Sequence, residues 1–204
     1  EGPVIQDANI RALKAGMTTD GVFEIVRRVR EQSNVKLAFM TYANPVFHYG
    51  YERFFGRCEE LGVSAIIVPD LPYEEKAEME EPASAHHVDL ISMIAPTSEE
   101  RIQMIAKEAK GFIYVVSSMG VTGVRKEIKT DLKSIVESIR KVTDVPCAVG
   151  FGISTPEQAK QMAAISDGAI VGSAIVKLIA EHGTEAAPYL YQYVKEMKEA
   201  VESV

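Results

Sequence analysis

Tryptophan is absent from this 204-residue sequence, and cysteine occurs only at Cys58 and Cys147. The two cysteines stand far apart and form no Cys-X-X-Cys or Cys/His pattern, which argues against a disulfide framework and against a zinc site. Basic residues are in deficit, with 22 Lys and Arg against 29 Asp and Glu, so bulk charge does not favour binding to nucleic acid or an acidic membrane. No apolar run approaches the roughly 20 residues of a membrane-spanning helix. These absences indicate a protein of a reducing, cytoplasmic compartment.

What the sequence contains is a repeated alternation of short, β-branched apolar runs and longer amphipathic stretches. The runs cover residues 37–41, 65–68, 90–94, 112–116, 147–149 and 169–171. Because they are continuous rather than alternating, they are typical of strands buried on both faces of a parallel sheet. No linker or low-complexity tract interrupts the alternation, so the pattern predicts one α/β domain over residues 1–204.

The stretches between the runs predict helices. They cover residues 19–32, 51–61, 132–142 and 189–201, with further helices opened by Ser98 and by Thr155 followed by Pro156. In the first of them Val22, Ile25, Val26 and Val29 share one face, which predicts that this face is buried.

Two folds fit this alternation, an open doubly wound sheet and a closed (β/α)8 TIM barrel. No Gly-X-Gly-X-X-Gly motif opens the first unit, so a dinucleotide-binding sheet gains no support. Polar and glycine-rich residues follow one predicted strand after another. In a barrel these positions converge on one face, where active sites of this fold lie. The barrel is therefore favoured.

The last two predicted strands end in the loops richest in glycine. Gly-Phe-Gly-Ile-Ser occupies 150–154, and Gly172-Ser173 precedes a helical run. Glycines let a ligand approach the backbone, and a helix N-terminus favours an anion. The alternative is that these glycines only form tight turns between strand and helix. Two such loops after consecutive strands favour a phosphate site.

Other polar positions leave more than one interpretation open. Residues 117–123 form a polar, glycine-bounded loop that fits either a lid or an ordinary surface loop. Asp70, between two prolines, is expected to cap a helix beginning at Tyr73. His86 and His87 stand at a predicted helix end, where interaction with the helix C-terminus explains them better than a metal does.

Six short segments, spread in order over essentially the whole chain, resemble a known family. They are Gly-Pro-Val-Ile-Gln at 2–6, Thr-Tyr-Ala-Asn-Pro at 41–45, Val-Pro-Asp-Leu-Pro at 68–72, Ser-Met-Gly-Val-Thr-Gly at 118–123, Val-Gly-Phe-Gly-Ile-Ser at 149–154 and Val-Gly-Ser-Ala-Ile at 171–175. Together they resemble the alpha subunit of tryptophan synthase. The resemblance implies a (β/α)8 barrel that cleaves indole-3-glycerol phosphate to indole and glyceraldehyde 3-phosphate. It also implies no metal, no organic cofactor, and a beta-subunit partner in an alpha2-beta2 assembly that receives the indole.

The resemblance also assigns roles to individual residues. Those assigned to the substrate phosphate are Gly123, Gly152, Gly172 and Ser173, and those assigned to the indole pocket are Ile5, Tyr42, Phe151 and Ile170. The catalytic assignments are Thr122, which closes the loop, Tyr114, which lies near the catalytic glutamate, and Glu1, which stands where the family has an aspartate. Asn44, Asp70 and Pro72 are expected to face the beta subunit.

The sequence departs from the family pattern at its start. The family's first two strands and its catalytic glutamate lie in a segment upstream of Glu1, so we expect no lyase activity from this chain alone. Two alternatives remain beside the lyase. One is another phosphate-binding barrel, such as a sugar-phosphate isomerase. The other is a non-catalytic barrel fragment, or a subunit that only binds a partner.

Overall fold

The computed structural model describes residues 2–117, 131–150 and 152–204. The chain divides into two compact units. The middle unit comprises Leu13–Met93 and Ala109–Gly111, and the second, here the C-terminal unit, comprises Glu1–Ala12, Ile94–Glu108 and Phe112–Val204. The predicted single domain over residues 1–204 stays a prediction, and each unit is described by itself.

Helices and strands alternate through most of the chain, as the sequence pattern predicts. The helices are α1 (Pro3–Lys14), α2 (Thr19–Arg30), α3 (Ala43–Tyr49), α4 (Tyr51–Glu60), α5 (Ala77–Ala85), α6 (Glu99–Lys107), α7 (Leu132–Arg140), α8 (Pro156–Ala163), α9 (Ser173–His182) and α10 (Ala186–Glu202). The strands are β1 (Leu37–Met40), β2 (Val63–Ile67), β3 (Asp89–Leu90), β4 (Ser92–Ile94), β5 (Ile113–Val116), β6 (Cys147–Gly150) and β7 (Gly168–Ala169). No helix within the described residues is long and apolar enough to cross a membrane.

The middle unit contains a parallel sheet in the order β1–β2–β3. Its core is built around aromatic rings, because Phe23 of α2 contacts Phe39 of β1 and Phe54 of α4 edge-on, with ring centroids 5.4 Å and 5.3 Å apart. Such edge-to-face contacts add to the stabilisation that burial of the rings provides. A second link is made by Arg30, whose guanidinium donates to the carbonyls of Leu61 and Gly62 at 2.9 Å and 2.8 Å. These contacts hold α2 against the turn between α4 and β2.

The C-terminal unit contains the strands β5, β6 and β7, in which β5–β6 and β6–β7 are parallel pairs. All four residues of β5 are buried, as expected for a strand covered on both faces. In register, Tyr114 pairs with Ala148 and Val149 pairs with Ala169. The carboxyl ends of β5, β6 and β7 therefore lie side by side, and the loops that follow them begin at neighbouring points.

Residues 43–45, which follow the first predicted strand, form the first turn of α3, where a proline is tolerated because its missing N–H would be unpaired anyway. Two sequence predictions need correction here. The run at 90–94 is divided into β3 and β4 by Ile91. On α2, Val22 and Ile25 are 37% and 47% exposed, and the buried stripe is Phe23 with Val26 instead. The sequence does not single out Phe23, because helical spacing allows either the face with Val22 and Ile25 or the face with Phe23 and Val26 to be buried. The contacts of Phe23 with Phe39 and Phe54 favour the second face.

Candidate active site

The N-terminus of α9 provides the first part of the candidate site. Gly172 precedes the helix and is exposed, and Ser173 begins it and is half-buried. A methyl group added at Gly172 would meet no heavy atom of the described residues within 4 Å. Packing alone therefore does not require glycine at this position, and space remains beside the first amide groups of the helix. Those amides lack partners within the helix and, with its dipole, favour an anion.

The loop after β6 provides the second part. Gly152 has φ +86°, a left-handed conformation that favours glycine. Two residues later the Ser154 N–H and hydroxyl both donate to Oε1 of Gln158, at 2.9 Å and 3.2 Å. The Thr155 N–H donates to the same oxygen at 3.2 Å, and the Gln158 N–H donates back to Thr155 Oγ1 at 3.3 Å. This capping box anchors the loop to the first turn of α8.

A residue far away in sequence also holds this loop. The hydroxyl of Tyr193, on α10, donates to the carbonyl oxygen of Ser154 at 2.8 Å. The hydroxyl of tyrosine is protonated at neutral pH and can donate, and burial raises the pKa of Tyr193 further above its usual value. Sequence reasoning missed Tyr193, because nothing in the pattern of α10 indicates which of its tyrosines faces the loop.

Tyr114 lies on β5 beside the same loop. Its side chain is 5% exposed, and burial raises the pKa of its hydroxyl to about 12. A methyl group at Gly150, the last residue of β6, would lie 2.3 Å from that hydroxyl oxygen. The glycine-rich segment 150–154 predicts space for a ligand at Gly150, but that prediction is wrong at this residue, because the phenol of Tyr114 fills the space.

The residues assigned to the indole pocket lie in different parts of the chain. Ile5, on α1, and Ile170, after β7, are half-buried members of the C-terminal unit. The Ile170 N–H donates to the Val149 carbonyl at 2.7 Å, which continues the pairing of β6 with β7. Tyr42 precedes α3 in the middle unit. Glu1, Thr122, Gly123 and Phe151 lie outside the described residues, as does the candidate lid from residue 118 onwards.

The three residues expected to face a partner, Asn44, Asp70 and Pro72, are all exposed. Oδ1 of Asp70 accepts a hydrogen bond from the Ala43 N–H at 3.0 Å. The prediction that Asp70 caps a helix at Tyr73 is therefore wrong. The short 3-10 helix Tyr73–Glu75 begins after Pro72 without a side-chain cap, and Asp70 serves the first turn of α3 instead.

His86 and His87 follow the end of α5, as predicted, but their partners are carboxylates. His86 lies between Glu59, 2.9 Å from Nδ1, and Glu52, 3.2 Å from Nε2, and Nδ1 of His87 lies 2.7 Å from Glu59. These bonds raise the pKa of His86, with Glu59 the larger cause and Glu52 the next. Among the described residues, no group of three or more His, Cys, Asp or Glu side chains is arranged to hold a metal ion.

Comparison with known proteins decides the family. The profile described as "Tryptophan synthase alpha chain" matches residues 1–202. The chain belongs to the tryptophan synthase alpha chain family. The alpha chain of Lacticaseibacillus casei is 48% identical over 203 residues, which cover 100% of this chain and 76% of that protein. The alpha chain of Lactiplantibacillus plantarum is 47% identical over 203 residues, covering 99% of this chain and 76% of that protein.

Solved structures of tryptophan synthase alpha chains agree with this assignment. The alpha chain of Legionella pneumophila superposes with a TM-score of 0.87 at 33% identity, covering 100% of this chain and 77% of that one. A chain from a study of mutual activation in the a2b2 complex of Pyrococcus furiosus gives a TM-score of 0.86 at 32% identity, covering 98% of this chain and 80% of that one. These similarities confirm the predicted fold class, the (β/α)8 barrel of this family.

Proposed function

We propose that this chain acts in tryptophan biosynthesis as the lyase subunit that cleaves indole-3-glycerol phosphate to indole and glyceraldehyde 3-phosphate. One observation carries this function, the match of the tryptophan synthase alpha chain profile to residues 1–202. A cytoplasmic location belongs to the same proposal, because both cysteines are free thiols, as is usual in a reducing compartment.

The substrate phosphate is placed at the loops after β6 and β7. Gly172 and Ser173 offer amide groups and a hydroxyl at the N-terminus of α9, where a dianion is stabilised. Gly152 extends this site from the neighbouring strand end. The pairing of Val149 with Ala169 supports this placement, since it brings the two loops together at one edge of the sheet. Gly123 is assigned to the same phosphate through its own loop.

The reaction breaks a carbon–carbon bond while the indole ring gains a proton and the glycerol hydroxyl loses one. It needs a carboxyl group as acid and base and a second carboxylate that stabilises positive charge on the indole nitrogen. Glu1 is proposed for the second role, and Thr122 is proposed to close the loop over the site. Tyr114, whose hydroxyl is protonated at neutral pH and whose pKa burial raises further, is a neutral hydrogen-bond donor beside the site. Ile5, Tyr42, Phe151 and Ile170 are proposed as apolar contacts of the indole ring.

A beta subunit is the proposed partner, as in the a2b2 complex named for the Pyrococcus furiosus structure. The exposed positions of Asn44, Asp70 and Pro72 support a role in that contact. The bond from Ala43 to Asp70 joins two of these segments, so they would present one surface to the partner.

The phosphate site is tested by calorimetric titration with glycerol 3-phosphate, which carries the phosphate without the indole. We expect the Gly172→Val variant to lose about tenfold or more in affinity, equivalent to about 1.4 kcal/mol, because the added side chain fills the space beside the α9 amides. Ala180→Val, an exposed position on the same helix, is the matched control and should bind as the unchanged chain does. Equal affinity of Gly172→Val and the unchanged chain would refute the site.

The reaction is tested by following indole release from indole-3-glycerol phosphate, with the chain alone and with a beta subunit. Release in either arm supports the lyase, and release by the chain alone would refute the expectation that the segment upstream of Glu1 is needed for activity. Stimulated beta-subunit activity without indole release from a chain that binds the substrate would instead favour a subunit that only binds its partner.

A further inference from the structure

We propose that Tyr193 is a positioning residue for the phosphate-binding loop after β6, a role that rests on the proposed function. The hydroxyl of Tyr193 donates to the carbonyl oxygen of Ser154 at 2.8 Å, across 39 residues of sequence. Both residues lie in the C-terminal unit. Tyr193 does not belong to any of the loops that follow the strands, and its effect on the substrate would act through the backbone of the loop.

The face of α10 on which Tyr193 lies is the packed one. Met197, four residues later, is buried, and residues four apart share a helix face. The helix packs against α8 and α9, the two helices that begin at the ends of the candidate phosphate loops. Tyr193 is therefore held in a fixed orientation, and its hydroxyl can fix the group that it contacts.

The group that it contacts is the peptide between Ser154 and Thr155. Tyr193 holds the C=O of this peptide, and Oε1 of Gln158 accepts from its N–H at 3.2 Å. The preceding peptide is held as well, because the Ser154 N–H donates to the same Gln158 oxygen at 2.9 Å. With both polar groups of the peptide bonded, its plane cannot rotate without breaking a hydrogen bond.

Gly152, whose left-handed conformation shapes the loop, lies shortly before these fixed peptides. Ile153, which separates Gly152 from Ser154, is buried, so its side chain also holds the loop against the core. A loop that already has its binding conformation loses little freedom on binding, and affinity rises accordingly. Tyr193 thus contributes to phosphate affinity by holding the loop in its binding conformation before the ligand arrives.

The chain offers a matched pair of variants for the test. Tyr193→Phe removes the hydroxyl and keeps the aromatic ring. Tyr191→Phe makes the same chemical change two residues earlier, on a side chain that is 70% exposed. Glycerol 3-phosphate affinity is measured by calorimetry, and KM and kcat for indole-3-glycerol phosphate are measured in the complex with a beta subunit.

We expect Tyr193→Phe to weaken glycerol 3-phosphate binding by about three- to tenfold, the range of one lost hydrogen bond, and to raise KM more than it lowers kcat. Hydrogen exchange at the Thr155 amide should become faster, because the carbonyl group of the same peptide is released. Tyr191→Phe should change neither the glycerol 3-phosphate affinity, nor KM and kcat, nor the rate of hydrogen exchange.

Three results would overturn the inference, and they are distinguishable. If the unchanged chain does not bind glycerol 3-phosphate, the phosphate site itself is refuted. If the unchanged chain binds and Tyr193→Phe binds equally well with unchanged exchange, the inference alone is refuted. A loss of equal size in Tyr191→Phe would also refute it, since the effect would then be common to the phenols of α10.

Discussion

The phenol of Tyr114 lies against Gly150 on the neighbouring strand, so closely that a methyl group on Gly150 would come within 2.3 Å of its oxygen and 2.5 Å of Cζ. These distances are well below van der Waals contact, so the tyrosine at the centre of β5 and the glycine at the end of β6 require each other. The pair fixes where the phenol lies beside the loop that follows β6. A residue assigned to catalysis is thus positioned by the absence of a side chain on the next strand.

Gly150→Ala should therefore destabilise the protein. The ring of Tyr114 is buried and cannot move freely, so the added methyl group overpacks the core. Urea unfolding should show a free energy of unfolding lower by about 1–3 kcal/mol. Gly168→Ala is the matched control in β7, because its added methyl would meet its nearest atom, Ala148 Cβ, at an ordinary 3.8 Å. Combined with Tyr114→Leu, the Gly150 substitution should be much less destabilising, and strict additivity of the two changes would contradict the proposed clash.

Asp70 is expected to stabilise α3 through the Ala43 N–H. Asp70→Ala removes the acceptor and leaves a first-turn amide without its partner, so a loss of about 1 kcal/mol in the free energy of unfolding is expected. Asp70→Asn keeps an acceptor oxygen and should lose less, only the part due to the charge at the helix N-terminus. Glu75→Ala, an exposed carboxylate nearby, is the control. Equal effects of Asp70→Ala and Glu75→Ala would show that the bond contributes nothing.

The pH dependence of stability should depend on His86. Its folded-state pKa lies above the ordinary 6.5, mainly because of Glu59 and then Glu52, so its contribution is complete below 6.5 and is lost as the pH rises through the raised value. The pKa of Glu59 is lowered from 4.5 by His86 and His87, so its contribution is present above 4.5 and is lost as the pH falls through the lowered value. Between these limits the charged pair stabilises the contact between α4 and the end of α5.

The urea midpoint of the unchanged protein is therefore expected to fall as the pH rises from below 6.5 through the raised pKa of His86. Glu59→Gln removes the main partner and should flatten this fall. Glu60→Gln removes a carboxylate one residue further along the chain and should leave the fall of the urea midpoint unchanged. If both variants show the full fall, His86 is not its source.

The strands and several helix ends could be predicted because their signals are local. The residues Ile113–Val116 are apolar, and their burial on both faces is what such a run indicates. The start of α8 was also predictable, since Thr155, Pro156 and Gln158 lie within one turn, and Thr155 and Gln158 make the capping box between them. Ser98 likewise accepts from the Arg101 N–H at the start of α6.

The contacts that shape the candidate site could not be predicted in this way, because their partners are distant in sequence. Asp70 and Ala43 are separated by 27 residues, and Tyr193 and Ser154 by 39. Gly150 and Tyr114 meet only because β5 and β6 pair in one particular register. The family resemblance assigned roles to Tyr114 and Asp70, but it did not indicate which groups hold them.

Asp167 offers a test of which of two interactions stabilises the start of β6. Its Oδ2 accepts from the N–H of the buried Cys147 at 2.8 Å, and its Oδ1 accepts from Arg140 at 3.2 Å. The ion pair is half exposed, so Arg140→Ala should cost at most about 1 kcal/mol. Asp167→Ala leaves the Cys147 N–H without its acceptor and should cost about 1–3 kcal/mol, whereas Asp167→Asn keeps an oxygen there and should cost less. Urea unfolding of the three variants measures this order, and a larger loss from Arg140→Ala than from Asp167→Ala would mean that the ion pair, not the backbone bond, holds this end of the strand.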